Sequence, residues 1–186
     1  MDPRTTPPLW LRILVRIDFI AAVALTVVAP LALTAGALPP RHRGELTGLL
    51  RYWRASSLLM ATVYLLVDAR RIAFPAGIAA RLALAGVLWS HPLAPAERAW
   101  SRRWRWLAGG YGVLGALASL PLLRGSLMPT LPTSCAAYLE PPREYAALLH
   151  PAVSRRRLGD AGVLGLVAFA VVALVELVRH RGKGPS

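Results

Sequence analysis

Five apolar stretches leave this chain few ways to fold, and the first, Phe19 to Leu38, runs for 20 residues without a charge. At about 1.5 Å of rise per residue, such a helix reaches roughly 30 Å, the hydrocarbon thickness of a bilayer. Comparable stretches recur near 46–67, 72–90, 106–123 and 158–178. A soluble domain of 186 residues keeps a polar face on each helix. The expected fold is therefore all-α, a polytopic helical membrane protein. It has five transmembrane helices near 17–38, 46–67, 72–90, 106–123 and 158–178, with four as the alternative. Residues 1–186 form one bundle, and 124–157 form a Pro-rich extramembrane loop.

The composition agrees. Hydrophobic residues make up 55% and charged residues 17%, against roughly 25% charged in soluble domains, and the mean hydropathy is +0.47. A net charge of +13 would suggest nucleic acid in a soluble protein. Here the arginines flank apolar stretches, where they meet anionic lipid head groups and anchor helix ends. The expected partners are the lipid bilayer, anionic lipids and other membrane protein subunits, with no nucleic acid. Cys135 is the single cysteine, so no intrachain disulfide and no Cys-rich metal site is expected. Arg4, Arg12 and Arg16 precede an apolar run that ends at Ala35-Gly36-Ala37, the small-x-small pattern of a signal-peptide cleavage site. The run is long for such a signal, and an anchor is expected.

Along the chain, Pro30 is expected to kink the first span, which membrane helices tolerate. The second stretch has an uncharged centre, Ala55 to Val67, that is too short to cross alone. It spans if Leu46 to Arg54 continues the helix with Arg51 and Arg54 snorkelling to the head groups. Asp68-Ala69-Arg70-Arg71 then forms the turn of a hairpin with 72–90. Within 124–157, Arg143 to His150 is expected as a short surface helix with Tyr145, Leu148 and Leu149 on one face. Basic residues divide almost evenly between the two sides of a five-span arrangement, so they do not orient it. Trp53, Trp89, Trp100, Trp104 and Trp106 fall together opposite the N-terminal side, as a Trp belt would in five spans.

Gly110-Tyr111-Gly112-Val113-Leu114-Gly115 matches G-x-G-x-x-G, but Arg105 to Gly109 precede it in place of a strand and the motif sits inside a span, so the context of a dinucleotide site is absent. Its expected role is close helix contact through Ala108, Gly112 and Ala116, a small-residue face suited to docking another helix. Arg81 sits at the midpoint of the third stretch. A charge there costs roughly 2.5–3.5 kcal/mol on insertion scales, so it is expected to face the bundle, a watery cavity or an acid. Asp18 and Asp160 fall on the same side as Arg70 and Arg71, and Glu176 on the same side as Arg51 and Arg54. Each set is a candidate ion pair. His42, His91 and His180 gather on one side and could ligate a haem or chlorophyll-type metal, although none lies within a span and the sequence requires no cofactor. No catalytic triad, P-loop or metalloprotease helix is present.

These features lead first to an accessory or structural subunit of a larger membrane complex, bioenergetic or transport-related, in a bacterial inner membrane. The alternative is a small transporter or channel with Arg81 on its pathway. A third reading is an intramembrane lipid-modifying enzyme.

Overall fold

The computed structural model describes residues 6–90, 92–95, 97–128 and 130–182; of 41, 176, 177 and 179–182 it describes the backbone alone. The described residues form six main helices: α1 (Leu9–Gly36), α2 (Arg43–Val67), α3 (Ala73–Ser90), α4 (Ala99–Ser126), α5 (Thr133–Leu149) and α6 (Arg155–Gly182). A 3-10 turn, Pro40–His42, leads into α2. Among the described residues there is no strand. Four helices are long and apolar enough to cross a membrane: α1, α3, α4 and the Arg155–Val175 part of α6. Length and composition thus support a helical membrane protein with four such helices, the alternative count, and do not confirm five. The second stretch misses because α2 carries Arg43, Glu45, Arg51 and Arg54 in its first half.

α2 is the hub of the bundle. It packs against α3, α5 and α6, while α3 packs against α4 and α1 against α5. The α2–α3 turn closes as a Schellman cap. Ala69 N–H donates to Leu66 O at 3.0 Å and Arg70 N–H to Leu65 O at 2.9 Å, with Ala69 in the left-handed region at φ 56°. Gly162 of α6 lies so close to α2 that a Cβ there would sit 2.9 Å from Ala61 O. Gly159, Gly162 and Gly165 recur every third residue, and this glycine face sets the α2–α6 contact.

α1 does not kink by simple loss of one bond at Pro30. A π turn spans Ala24–Val28, and Ala29 N–H reaches back to Ala24 O. That register leaves Leu25 O facing Pro30, which has no N–H, and Pro30 also removes the α-helical partner of Thr26 O. Both carbonyls are taken from outside the helix. Trp104 Nε1 donates to Leu25 O at 2.8 Å and the Tyr52 hydroxyl to Thr26 O at 2.6 Å. The two rings meet edge to face at 5.0 Å inside a buried cluster with Leu33, Leu49, Leu84 and Leu88.

The segment read as a loop is the largest departure. It contains α5, a helix that runs through Pro141 and Pro142. Each interior proline costs about 3 kcal/mol in helix propensity, so tertiary contacts decide. Arg12 and Arg16 of α1, four residues apart, pair with Glu140 and Glu144 of α5, also four apart, at 2.8 and 2.6 Å. Cys135, Leu139 and Ala146 are buried beneath them.

Candidate functional site

A cavity of about 420 Å³ opens among α1, α2, α3 and α5, with Ser119 and Leu122 of α4 at its back. Its wall is apolar for the most part, with Phe19, Val63, Phe74 and Ile78 among the lining residues. Met60, Tyr145, Leu148 and Leu149 line it and are exposed, so they form its rim. α5 supplies three of these four, Tyr145, Leu148 and Leu149, the face expected of the short helix over Arg143 to His150, and this face closes one side of the cavity.

Arg81 and Asp18 stand in this wall. Arg81 lies eight residues into α3, about 12 Å along the helix from its start. Its Nη2 donates to Asp18 Oδ2 at 2.8 Å, and the two side chains keep 16% and 24% of their exposure. The Tyr111 hydroxyl lies 2.5 Å from Asp18 Oδ1 and 2.7 Å from Asp18 O, and its one proton serves one of them at a time. The Arg81 guanidinium also rests 5.5 Å from the centre of the Tyr111 ring, within cation–π range. The charge at the centre of the third stretch is thus neutralised by Asp18 and still borders the cavity.

The glycine motif is explained by the same group. A Cβ on Gly115 would coincide with the Arg81 guanidinium, and a Cβ on Gly112 would sit 2.9 Å from Arg81 O. Ala108, Gly112 and Ala116 are buried within the chain, and Gly112 faces Arg81 and Ala85 of α3. Gly112 therefore meets α3, and Ala108 joins the buried cluster with Leu33, Leu49 and Leu84.

Other candidates fall elsewhere. Asp160 meets Arg70 at 2.5 Å, with Asp68 on the other side of Arg70 at 2.9 Å. Asp18, grouped in the sequence with Arg70 and Arg71, is held by Arg81 instead. Arg51 and Arg54 are exposed on α2, while the Glu176 side chain lies outside the described residues. His42 is half-buried in the 3-10 turn; His91 and the His180 side chain lie outside the described residues. Among the described residues no group of three or more His, Cys, Asp or Glu could hold a metal ion.

A second charged centre lies at the opposite end of α2. Glu45, 2% exposed, accepts from Arg98 N–H at 2.9 Å, Arg98 Nε at 2.6 Å and Ser101 Oγ at 3.3 Å. Burial opposes ionisation of its carboxyl, but the Arg98 hydrogen bonds outweigh burial and hold it below the usual range. Nearby, buried Arg105 meets Glu97 at 3.2 Å and donates to Leu88 O at 2.8 Å.

No local pattern marks Tyr111 as a partner of Asp18, nor the cavity, which arises only where four helices converge. The matched four-residue spacings of Arg12 and Arg16 and of Glu140 and Glu144 were a readable sign of the α1–α5 contact. Chemically, the cavity offers a long apolar wall and one polar cluster, Asp18, Arg81 and Tyr111, whose members satisfy one another. A family profile described as a protein of unknown function (DUF3177) matches residues 12–184. No curated protein and no solved structure matches the chain.

Proposed function

The chain belongs to the DUF3177 family, and we propose that it is a membrane protein that takes the apolar part of an amphiphile into its cavity. The observation that carries this reading is the cavity itself. Its volume of about 420 Å³ falls in the range of small-molecule sites, which are mostly apolar with a few fixed polar groups. Exposed Met60, Leu148 and Leu149 at the rim suit entry of a chain from lipid. The Asp18–Arg81 pair, held from behind by Tyr111, gives the deep end a fixed polar edge.

In this reading the segment 46–67 is a fifth membrane-embedded helix, shielded by α3, α5 and α6, with its charged N-terminal third at the head-group level. A helical rather than barrel architecture supports a bacterial inner membrane as its home. Arg81 beside a cavity favours a carrier over the accessory-subunit reading.

The test uses Gly77, which lines the cavity and where a Cβ would meet nothing within 4 Å. Gly77→Leu should fold and fill the space. Protein purified in maltoside should retain or take up a neutral lipid such as dioleoylglycerol, measured by native mass spectrometry, and Gly77→Leu should lose most of it. Equal binding by both proteins, or a co-purifying protein partner with an empty cavity, retires the proposal.

A further inference from the structure

Beside the large cavity lies a second of about 200 Å³, and the two share Ala146 and His150 in their walls. The second is lined by Arg143 and Arg155, with Leu158 beneath. We infer that this basic recess is the head-group site of the same molecule: the ligand is a lipid carrying a phosphate, its chain in the large cavity and its phosphate between Arg143, Arg155 and His150. This rests on the cavity reading above and names the class of amphiphile.

Three observations carry it. Arg143 and Arg155 both line one recess and no carboxylate lines it; Asp68, whose charge reaches Arg143, is held by Arg70. Arg143 makes a single hydrogen bond, from Nε to Val67 O at 3.2 Å, and no ion pair to Arg143 or Arg155 occurs among the described residues. The acids on the surrounding elements are already engaged: Asp68 and Asp160 by Arg70, Glu140 by Arg12, and Glu144 by Arg16. An anion is the missing partner, and planar guanidinium forks match phosphate oxygens in pairs.

Second, the recess sits at the start of α6. Arg155 is the first residue of that helix and no acid occupies its first turn, so the positive end of the helix dipole adds to the field, with the Arg157 N–H already capped by Ser154 Oγ at 3.3 Å. Burial, and then the charge of Arg155, hold the Arg143 guanidinium below its usual range; an anion between them would relieve that repulsion.

Third, the geometry suits an amphiphile and not a free ion alone. The recess adjoins the ends of α2 and α5 and the start of α6, while Arg81 lies about 12 Å along α3 from its own start. A head group at the recess and a chain running toward Arg81 would follow the direction a lipid takes from interface to bilayer centre. His150, 3.4 Å from the Tyr64 hydroxyl, stands where the two cavities meet.

The experiment compares dioleoyl phosphatidate with dioleoylglycerol, which share chains and differ by the phosphate, in maltoside micelles followed by native mass spectrometry. Wild-type protein should prefer phosphatidate by about ten- to a hundred-fold, the range for one charge-assisted hydrogen bond gained net. Arg143→Gln/Arg155→Gln should bring the two lipids to near parity. Should that variant misfold, Arg155→Gln alone, at an exposed position, should cut the preference several-fold. An unchanged preference in a folded variant overturns the head-group assignment and leaves the cavity reading standing. Gly77→Leu should weaken both lipids together; if it weakens neither, it is the cavity reading that fails. Inorganic phosphate supplies the other source of the same chemistry. Binding to Gly77→Leu as tight as phosphatidate binds wild type would assign the recess to a soluble phosphate and overturn the lipid.

Discussion

The two ends of α2 treat charge in opposite ways. At its N-terminal end, Glu45 is enclosed by Arg98 and Ser101, Arg105 by Glu97 and Leu88 O, and the orphaned carbonyls of α1 by Tyr52 and Trp104. Each of these named groups has a partner, and a buried cluster of leucines surrounds them. At its C-terminal end the helices part around a cavity, and Arg143 and Arg155 face a recess without a carboxylate. A bundle that saturates one end and leaves the other open is firm where it holds itself together and receptive where it meets something else. Buried polar groups stabilise only when fully paired, so stability belongs to the first end and binding to the second.

The sharpest way to break this contrast is Glu45→Ala. It removes the acceptor of three hydrogen bonds and leaves Arg98 partly buried without its acid, which should cost about 3 kcal/mol in detergent unfolding. The same group sets a pH dependence. Its folded pKa lies below the ordinary value of 4.5, so its contribution is fully present above that value and is lost as pH falls through the folded pKa. Wild-type protein should therefore lose melting temperature on acidification more steeply than Glu45→Gln does. An identical acid limb in both would remove Glu45 from the account.

Arg81→Leu should be next, at about 2–3 kcal/mol, because it strands Asp18 against an apolar cavity. Adding Asp18→Leu should recover most of the loss, and a cycle over the two changes should show coupling above about 1 kcal/mol. Additive changes would make the pair incidental. Tyr52→Phe tests the saturated end more gently. It frees Thr26 O, and a loss of about 1–2 kcal/mol is expected, with α1 the first helix to gain amide exchange. The smallest effect has the opposite sign. Ala69 holds a left-handed φ of 56° in the turn beside the open end. Ala69→Gly should stabilise by about 0.5–1 kcal/mol, which would show that this end is not tuned for stability alone.

Much of the fold was readable because hydrophobic length is a local property. The fourth and last apolar stretches fall within α4 and α6, the first and third overrun α1 and α3 by two residues and one, and the hairpin turn lies at Asp68 to Arg71 as its composition suggests. Only the second half of α5 was readable, as the short helix expected over Arg143 to His150; its first half was not, since Pro141 and Pro142 argue locally against a helix. What overrides them is distant in sequence: Arg12 and Arg16 across 128 residues, and the Val67 carbonyl that receives Arg143. Asp18 was placed beside the wrong arginines for the same reason. Shared depth in a membrane does not distinguish Arg70 from Arg81, whereas the helix faces do. The glycines of α4 signalled close approach correctly in kind, but only the fold reveals that the approaching group is the Arg81 side chain.

By itself, the sequence determined that this chain is helical, that it belongs in a membrane, and that Arg81 needs a partner. Those follow from transfer free energies that each residue carries wherever it sits. Which acid answers Arg81, that a proline-broken segment folds as α5, and that two cavities adjoin at His150 were decided by tertiary structure. Each depends on side chains from helices far apart in the chain meeting at one point, and no single segment encodes that meeting.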